Sequence, residues 1–139
     1  MKTRSKIANQ DGVAAVEFAI ILPFLVILIF GMIEFSLVLY NKAMITNASR
    51  VGAREEIAGF TNTKDLVKNY CDSHLIELGG TKDTVSYGDI TVAPVTLTSG
   101  VKAGVSVTVT YDYNFLFASL IGLDQTSISL TGQTIMRNE

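Results

Sequence analysis

The stretch that decides the fold is residues 13–40, VAAVEFAIILPFLVILIFGMIEFSLVLY. It has no charged side chain from Phe18 to Ile33, and only Glu17 and Glu34 bring a charge into it. A bilayer core of about 30 Å needs about 20 helical residues at about 1.5 Å each. The run is longer than that, so it predicts a membrane-spanning helix.

An apolar run of this kind could also be a cleaved secretory signal or a buried core helix. A secretory signal has an apolar stretch of about 7–15 residues followed by a small-x-small cleavage site. This run is longer, and residues 33–40 offer no such site. A buried core helix would need a larger domain around it than the rest of the chain can form. The sequence therefore favours a membrane-spanning helix over a cleaved secretory signal or a buried core helix.

The start of the span carries an unusual acidic residue, Glu17, directly before the uncharged run. The simplest interpretation is that it marks the membrane interface, where a carboxylate costs less than at a helix centre. If the chain were cut after Gly12, Val13 would present a new ammonium group one helical turn from Glu17. That carboxylate would be tolerated in the first turn by the helix dipole. It could instead pair with the new amine of a neighbouring helix and set the register of a bundle.

Four short motifs follow one another along this region: GVAAVEFA at 12–19, LPFL at 22–25, GMIEF at 31–35 and NASRVGAR at 47–54. Together they resemble the TadE-like proteins, which are pilin-like components of the bacterial tight-adherence machinery, the Flp or type IVc pilus. The similarity covers about residues 12–54. Any one motif is weak evidence, but four in order at spacing compatible with a membrane span are specific.

The resemblance implies a processing enzyme and an orientation. A prepilin peptidase would cut between Gly12 and Val13, which would make Glu17 and Phe18 the inter-subunit register positions. It also implies a bacterial inner-membrane protein with its N-terminus in the cytoplasm and its C-terminal domain in the periplasm, with incorporation into the extracellular pilus left open. Charges alone favour this orientation only mildly, because basic residues flank both sides of the span. The implied partners are other pilin-like subunits, the Tad inner-membrane assembly platform and the lipid bilayer.

Two residues of the predicted span, Pro23 and Glu34, differ from the apolar side chains around them. Pro23 removes a backbone hydrogen bond to the carbonyl of Ala19, so we expect either a kink or simple tolerance by neighbouring helices. Glu34 lies about 31 Å along the helix from Val13. That distance places it at the opposite interface, where its carboxylate would reach water. We interpret Glu34 first as a boundary residue and second as an inter-subunit contact.

Beyond Tyr40 we expect the helix to continue to about residue 60, with Gly59 as a stop signal. The small residues Ala48 and Gly52, four apart, would let another helix approach closely. Arg50 and Arg54 have the same spacing and repel mildly, so either nearby glutamates or another subunit are expected as partners, or the two arginines form a solvated face. These residues form the predicted helix interaction face: Ala48, Arg50, Gly52 and Arg54.

The rest of the chain predicts a small α+β domain. An amphipathic helix is expected over 63–78, capped by Asn62 and ended by Gly79-Gly80. Period-two patterns then predict about three antiparallel strands: Ile90 to Leu97, broken at Pro94; Val105 to Phe115; and a last strand with Ile128, Leu130 and Ile135. A turn at Ser99-Gly100 is expected to join the first two strands, and an apolar connection, Leu116 to Gly122, the last two. The expected organisation is a leader at 1–12, a transmembrane and stalk helix at 13–60 and an extracytoplasmic domain at 61–139.

Composition argues against several other functions. A net charge of −2 and a pI near 5.3 give nucleic-acid binding no electrostatic support. Cys71 has no cysteine partner in the chain, so we expect a buried thiol or, less readily, a bond to another chain. Cys71 and His74 make at most half of a zinc site, and no phosphate-binding loop is present. We therefore expect no enzymatic activity, no cofactor, no metal and no small-molecule substrate.

Two functions from different classes follow from the sequence. The first is a minor pilin-like subunit, processed after Gly12, that serves assembly of a Tad/Flp-type pilus for adhesion and surface attachment. The second is an uncleaved, membrane-anchored periplasmic scaffold or binding protein.

Overall fold

The computed structural model describes residues 7–78, 85–96, 102–117, 122 and 127–137. These residues form a long helix, a short helix, a single 3₁₀ turn and three strands, which confirms the predicted α+β class. The element bounds are α1, Ile7–Ile57; α2, Thr63–His74; the 3₁₀ turn, Tyr87–Asp89; β1, Ile90–Thr96; β2, Lys102–Asn114; and β3, Ser127–Arg137. The chain divides into two compact units, residues 1–35 and 36–139.

The first unit is the N-terminal part of α1. The helix begins at Ile7, so it extends back into the predicted leader, and it runs without a break through Pro23. Each side chain from 12 to 33 is exposed. No described part of this unit covers its apolar surface.

The second unit is built around a three-stranded antiparallel sheet with the order β1-β2-β3. The registers place Ile90 opposite Val109 and Tyr111 opposite Leu130. Because alternate residues of a strand point to the same face, one face of β2 is buried and its other face carries Ser and Thr. Four positions of the period-two pattern in β2 are buried: Val107, Val109, Tyr111 and Tyr113.

The C-terminal half of α1 packs on this buried face together with α2. Ile45 and Ala48 of α1 are fully buried, as are Val67 and Cys71 of α2. This arrangement confirms the prediction that Cys71 is a buried thiol. The two helices and the sheet thus share one core, whose buried apolar members are Ile45, Ala48, Ala53, Val67, Cys71, Leu75, Val85, Ile90, Val107, Val109, Tyr111, Tyr113 and Leu130.

The end of α1 is a Schellman motif centred on Gly59. Gly59 has φ +86°, a left-handed conformation that glycine adopts without steric cost. The N–H of Phe60 donates to the carbonyl of Glu55 at 3.1 Å, and the N–H of Gly59 donates to that of Glu56 at 3.2 Å. Gly59 therefore stops the helix as predicted, and the last helical residue is Ile57.

Helix α2 is shorter than the sequence pattern predicts. It ends at His74 rather than at residue 78, because Leu75 adopts an extended conformation with φ −71° and ψ 140°. The predicted cap is also wrong, since the Asn62 side chain makes no capping hydrogen bond. Leu75 is nevertheless buried, so its apolar position contributes to the core from outside the helix. The predicted stop at Gly79-Gly80 lies outside the described residues.

The first predicted strand differs from the structure at its proline. Strand β1 is not broken at Pro94, which pairs with Val105 in the ladder. Proline cannot donate to a ladder, and β1 lies at an edge of the described sheet, where one side of the strand needs no donor. The predicted turn at Ser99-Gly100, Leu97 and most of the apolar connection, residues 118–121, lie outside the described residues.

The last predicted strand is present as β3, and its apolar residues divide between the two faces of the sheet. Leu130 is buried, whereas Ile135 is 59% exposed. Because the two residues are five apart, they point to opposite faces. Leu130 therefore belongs to the core, where the partly buried Met136 packs against it from the same strand, and Ile135 does not.

Candidate functional site

The N-terminal part of α1 is a bare apolar surface. The exposed fractions of Phe18, Ile20 and Phe24 are 59%, 63% and 71%. Monomeric soluble proteins rarely leave so continuous an apolar surface in water. By its length and composition this helix can cross a membrane. The surface therefore fits a bilayer or a bundle of similar helices.

The predicted processing site lies in this helix. Gly12 and Val13 are inside α1, so in a regular helix the Gly12 carbonyl is engaged by the N–H four residues on. A Cβ added at Gly12 would meet no atom within 4 Å. Glycine also weakens a helix by about 1 kcal/mol relative to alanine. The bond between Gly12 and Val13 is thus sterically open, and glycine lowers the cost of unwinding the helix around it.

Glu17 and Phe18 follow on the next turn. Glu17 is exposed and has no ion-pair partner among the residues that the structure describes. Because residues four apart lie on one helix face, Glu17 is on the same face as Val13. The geometry allows the carboxylate to meet an ammonium at Val13, of its own chain or of a neighbouring one.

Glu34 differs from the residues around it. It is only 7% exposed, whereas Ile33 and Phe35 are 44% and 63% exposed. Its assignment as a boundary residue or an inter-subunit contact stays a prediction.

The predicted interaction face of α1 separates into two parts. Ala48 and Gly52 are buried within the chain's own domain, and Arg50 and Arg54 are exposed. A Cβ at Gly52 would lie 2.5 Å from Cγ2 of Val67, so the helix that the small residues admit is α2 of the same chain. Only the arginine side of the predicted face is open to another subunit.

Two grooves flank the end of α1, and the sequence patterns do not predict either. The basic groove, of about 630 Å³, lies toward the end of β3 and is lined by Arg54, Ile57, Ala58, Met136 and Arg137. A second, smaller groove of about 250 Å³ lies toward the start of α2, and its lining includes Glu55, Phe60, Thr63, Asp65, Leu66 and Asn69. No sequence signal joins Arg137 to Arg54, because only the packing of β3 beside α1 brings the two together.

The contacts between α1 and β3 explain this packing. The Ser49 and Thr134 hydroxyls are 2.7 Å apart, and the Lys42 ammonium donates to the carbonyl of Thr131. A Cβ at Gly132 would lie 2.8 Å from the carbonyl carbon and oxygen of Ile45. A glycine inside a strand pattern often marks such a close backbone approach. Gly132 is therefore a residue from which this packing could have been predicted.

Cys71 and His74 do not form a site. Cys71 is fully buried, whereas His74 is exposed and stacks on Tyr70 with the ring centroids 4.3 Å apart. Within the described ranges, no group of three or more His, Cys, Asp or Glu side chains is placed to hold a metal ion.

The N-terminal segment of the chain matches a known family. Residues 12–54 match the TadE-like protein family. The match includes the bare apolar helix, Gly12, Glu17 and the arginine positions, and it confirms the resemblance drawn from the four motifs. No curated protein and no solved structure matches the chain significantly. The match covers less than half of the chain, so it identifies residues 12–54 as a TadE-like segment.

Proposed function

We propose that this chain is a minor pilin-like subunit for assembly of a Tad/Flp-type pilus, anchored by α1 and processed after Gly12. The observation that carries the proposal is the bare apolar helix of the TadE-like segment, with Gly12 and Glu17 at its start. The partners are a prepilin peptidase, other pilin-like subunits and the Tad assembly platform in the bacterial inner membrane. The N-terminus faces the cytoplasm, and the C-terminal unit lies in the periplasm.

The mechanism follows from the exposure of the helix. In the bilayer, lipid covers the side chains from 12 to 33. When the helix leaves the bilayer for a fibre or a priming complex, other apolar helices must replace the lipid, because the exposed surface cannot stay in water. Cleavage after Gly12 removes the charged leader and creates the Val13 ammonium. Glu17 then pairs with such an ammonium on a neighbouring helix, which fixes the axial register of the two helices.

The role of the second unit is structural rather than catalytic. Cys71, the one nucleophilic thiol of the chain, is fully buried in the core. The second unit instead offers a folded surface for assembly or for attachment, carried by the same helix that anchors the protein.

The experiment that tests the proposal reads the N-terminus and the intact mass of the protein purified from its native membrane. We expect a chain that begins at Val13. The Gly12→Lys variant should stay full length, and the matched Gln10→Lys variant, which adds the same charge outside the scissile bond, should be cut normally. A wild-type chain that begins at Met1 in cells with an active peptidase would overturn the proposal.

The second candidate is an uncleaved, membrane-anchored periplasmic scaffold. It is favoured by the second unit, which has its own core of two helices and a sheet and does not depend on the leader. Full-length protein together with unimpaired function of the Gly12→Lys variant would select this candidate.

A further inference from the structure

The apolar run of residues 13–40 ends inside the second unit, because residues 36–40 already belong to that unit. Asn41, the next residue, is fully buried, and its side chain bonds both the N–H and the carbonyl of Ile76. Ile76 belongs to the non-helical segment that follows α2, residues 75–78. This segment therefore lies beside the point at which α1 leaves the apolar run.

The start of β3 lies at the same end of the second unit. The Lys42 ammonium donates to the Thr131 carbonyl, and farther along both elements the Ser49 and Thr134 hydroxyls are 2.7 Å apart. Because residue numbers rise together along α1 and β3, the part of β3 before Thr131 lies toward the apolar run. Ile128 is in that part and is exposed. It therefore lies at the same end of the unit as the segment after α2.

Four exposed apolar side chains at this end form what we call the apolar rim: Leu39, Ile76, Leu78 and Ile128. Two charged residues close to the rim in sequence bond the backbone of the sheet. Lys42 donates to Thr131, and Oε1 of Glu77 accepts from the N–H of Asn114 at 3.1 Å. These bonds hold both charged groups on the sheet and leave the apolar side chains exposed.

We propose that the apolar rim inserts into the surface of the lipid bilayer, as a membrane contact of the second unit in addition to the spanning helix. Continuity favours lipid over a protein partner, because the rim lies at the end of the unit that holds the last residues of the apolar run. Tyr40, in those last residues, is an aromatic residue of the kind that is enriched at membrane interfaces. The inference rests on the membrane anchoring in the proposed function and not on processing after Gly12.

The other end of the unit provides a matched comparison. Ile135 is 59% exposed, more than any residue of the rim, whose exposed fractions are 42–54%. It follows Thr134, which contacts Ser49, and Ser49 lies about 12 Å along α1 from Asn41. Amphipathic surfaces at an interface bury their apolar side chains by about 5–10 Å. A bilayer that holds the rim at this depth should therefore leave Ile135 in water.

The test is fluorescence quenching in the full chain, reconstituted into vesicles of phosphatidylethanolamine and phosphatidylglycerol. Ile76→Cys and Ile128→Cys carry a nitrobenzoxadiazole label in the rim, and Ile135→Cys carries the control label. The native Cys71 is buried, so labelling of the folded protein is directed to the new thiol. We expect lipids brominated near the headgroup to quench both rim labels. Iodide in water should quench the control label at least about fivefold more strongly than the rim labels.

A charge in the rim makes the test specific. Leu78→Glu in the Ile76→Cys chain should at least about halve the quenching by brominated lipid, because a carboxylate resists transfer out of water. Leu66→Glu, at an exposed leucine of α2, is the matched control and should leave the quenching unchanged. Slow maleimide labelling of Cys71 shows that either variant keeps its fold.

Three results would overturn the proposal. The first is iodide quenching of the rim labels as strong as that of the control label. The second is shielding of the rim labels from iodide without quenching by brominated lipid, which would indicate a protein occupant such as a second copy. The third is unchanged lipid quenching in Leu78→Glu while Cys71 stays protected.

A label on Phe24→Cys, within the apolar run, reports the membrane anchoring separately. Lipid quenching of this label without quenching of the Ile76→Cys label removes the rim contact alone. Absence of lipid quenching at both positions removes the anchoring as well. Processing after Gly12 is read from the N-terminus and does not enter either comparison, so the rim contact and the proposed function can fail independently.

Discussion

The side-chain amide of Asn41 pairs with both polar groups of residue Ile76. Its Nδ2 donates to the Ile76 carbonyl at 2.7 Å, and its Oδ1 accepts from the Ile76 N–H at 3.0 Å. Asn41 is fully buried on α1, and Ile76 lies just beyond the end of α2. The Asn41 amide thus satisfies both backbone hydrogen-bonding groups of Ile76, as a neighbouring β-strand would. It therefore ties the segment after α2 to α1 and makes a non-helical path favourable after His74.

The first prediction concerns this pair. Asn41→Ala removes two hydrogen bonds and leaves the Ile76 peptide without these partners, so we expect a loss of unfolding free energy of about 2–4 kcal/mol. The measurement is denaturant unfolding of the second unit in the detergent-solubilised full chain. Asn69→Ala, at an exposed position on α2, is the control and should change stability by less than about 0.5 kcal/mol. Equal stability of the two variants would show that the Asn41 bonds carry no net energy.

The second prediction concerns the contact of α1 with α2. In Gly52→Ala the new methyl group would lie 2.5 Å from Cγ2 of Val67, so overpacking should cost about 1–3 kcal/mol. Because that neighbouring atom belongs to a side chain, Val67→Ala should recover part of the loss in the double variant. Gly31→Ala meets no atom within 4 Å and should not destabilise the protein. A double variant no better than the sum of its parts would refute the steric explanation.

The third prediction concerns the contact of α1 with β3. In Gly132→Ala the new Cβ would lie 2.8 Å from backbone atoms of Ile45, which no side-chain substitution can move. We expect a larger loss than for Gly52→Ala, about 3 kcal/mol or more, with no rescue at other side chains. Gly88→Ala is the control, because its nearest contact would be an ordinary 3.9 Å to the Ser86 hydroxyl. The measurement is thermal unfolding of Gly132→Ala, Gly52→Ala and Gly88→Ala in parallel. A small loss of stability in Gly132→Ala would mean that α1 shifts easily on the sheet.

The fourth prediction concerns the reactivity of Cys71. A fully buried thiol reacts only when its surroundings open, so maleimide labelling should be at least about 100-fold slower in the native protein than in denaturant. A Ser73→Cys variant places a thiol at an exposed position on the same helix and should react at once. If Cys71 labels as fast as that control, the core around α2 is open.

The same labelling reports on Asn41. If opening of the domain limits the reaction, a loss of about 2 kcal/mol in Asn41→Ala should raise the Cys71 labelling rate about 30-fold. Labelling that stays at the wild-type rate would mean that the Asn41 contact and the Cys71 core open independently.

The sequence by itself predicted the features that depend on nearby residues. The apolar run gives the helix its exposed surface, Gly59 gives α1 its end, and the alternation from Val105 to Tyr113 gives β2 its buried face. Each of these is a local pattern: a side-chain period or a single residue's conformational freedom. The TadE-like motifs are likewise local, and all four lie within residues 12–54.

Only the tertiary structure decided the features that depend on residues far apart in sequence. Helix α2 ends at His74 because Leu75 turns extended and Asn41 binds Ile76, and β1 continues through Pro94 because it lies at an edge. The groove that Arg54 and Arg137 line depends on the packing of β3 beside α1, where Gly132 closely approaches the backbone of Ile45. The spacing of apolar side chains along a helix or strand shows which residues are buried. It does not show which element covers them, because that depends on packing between residues far apart in sequence.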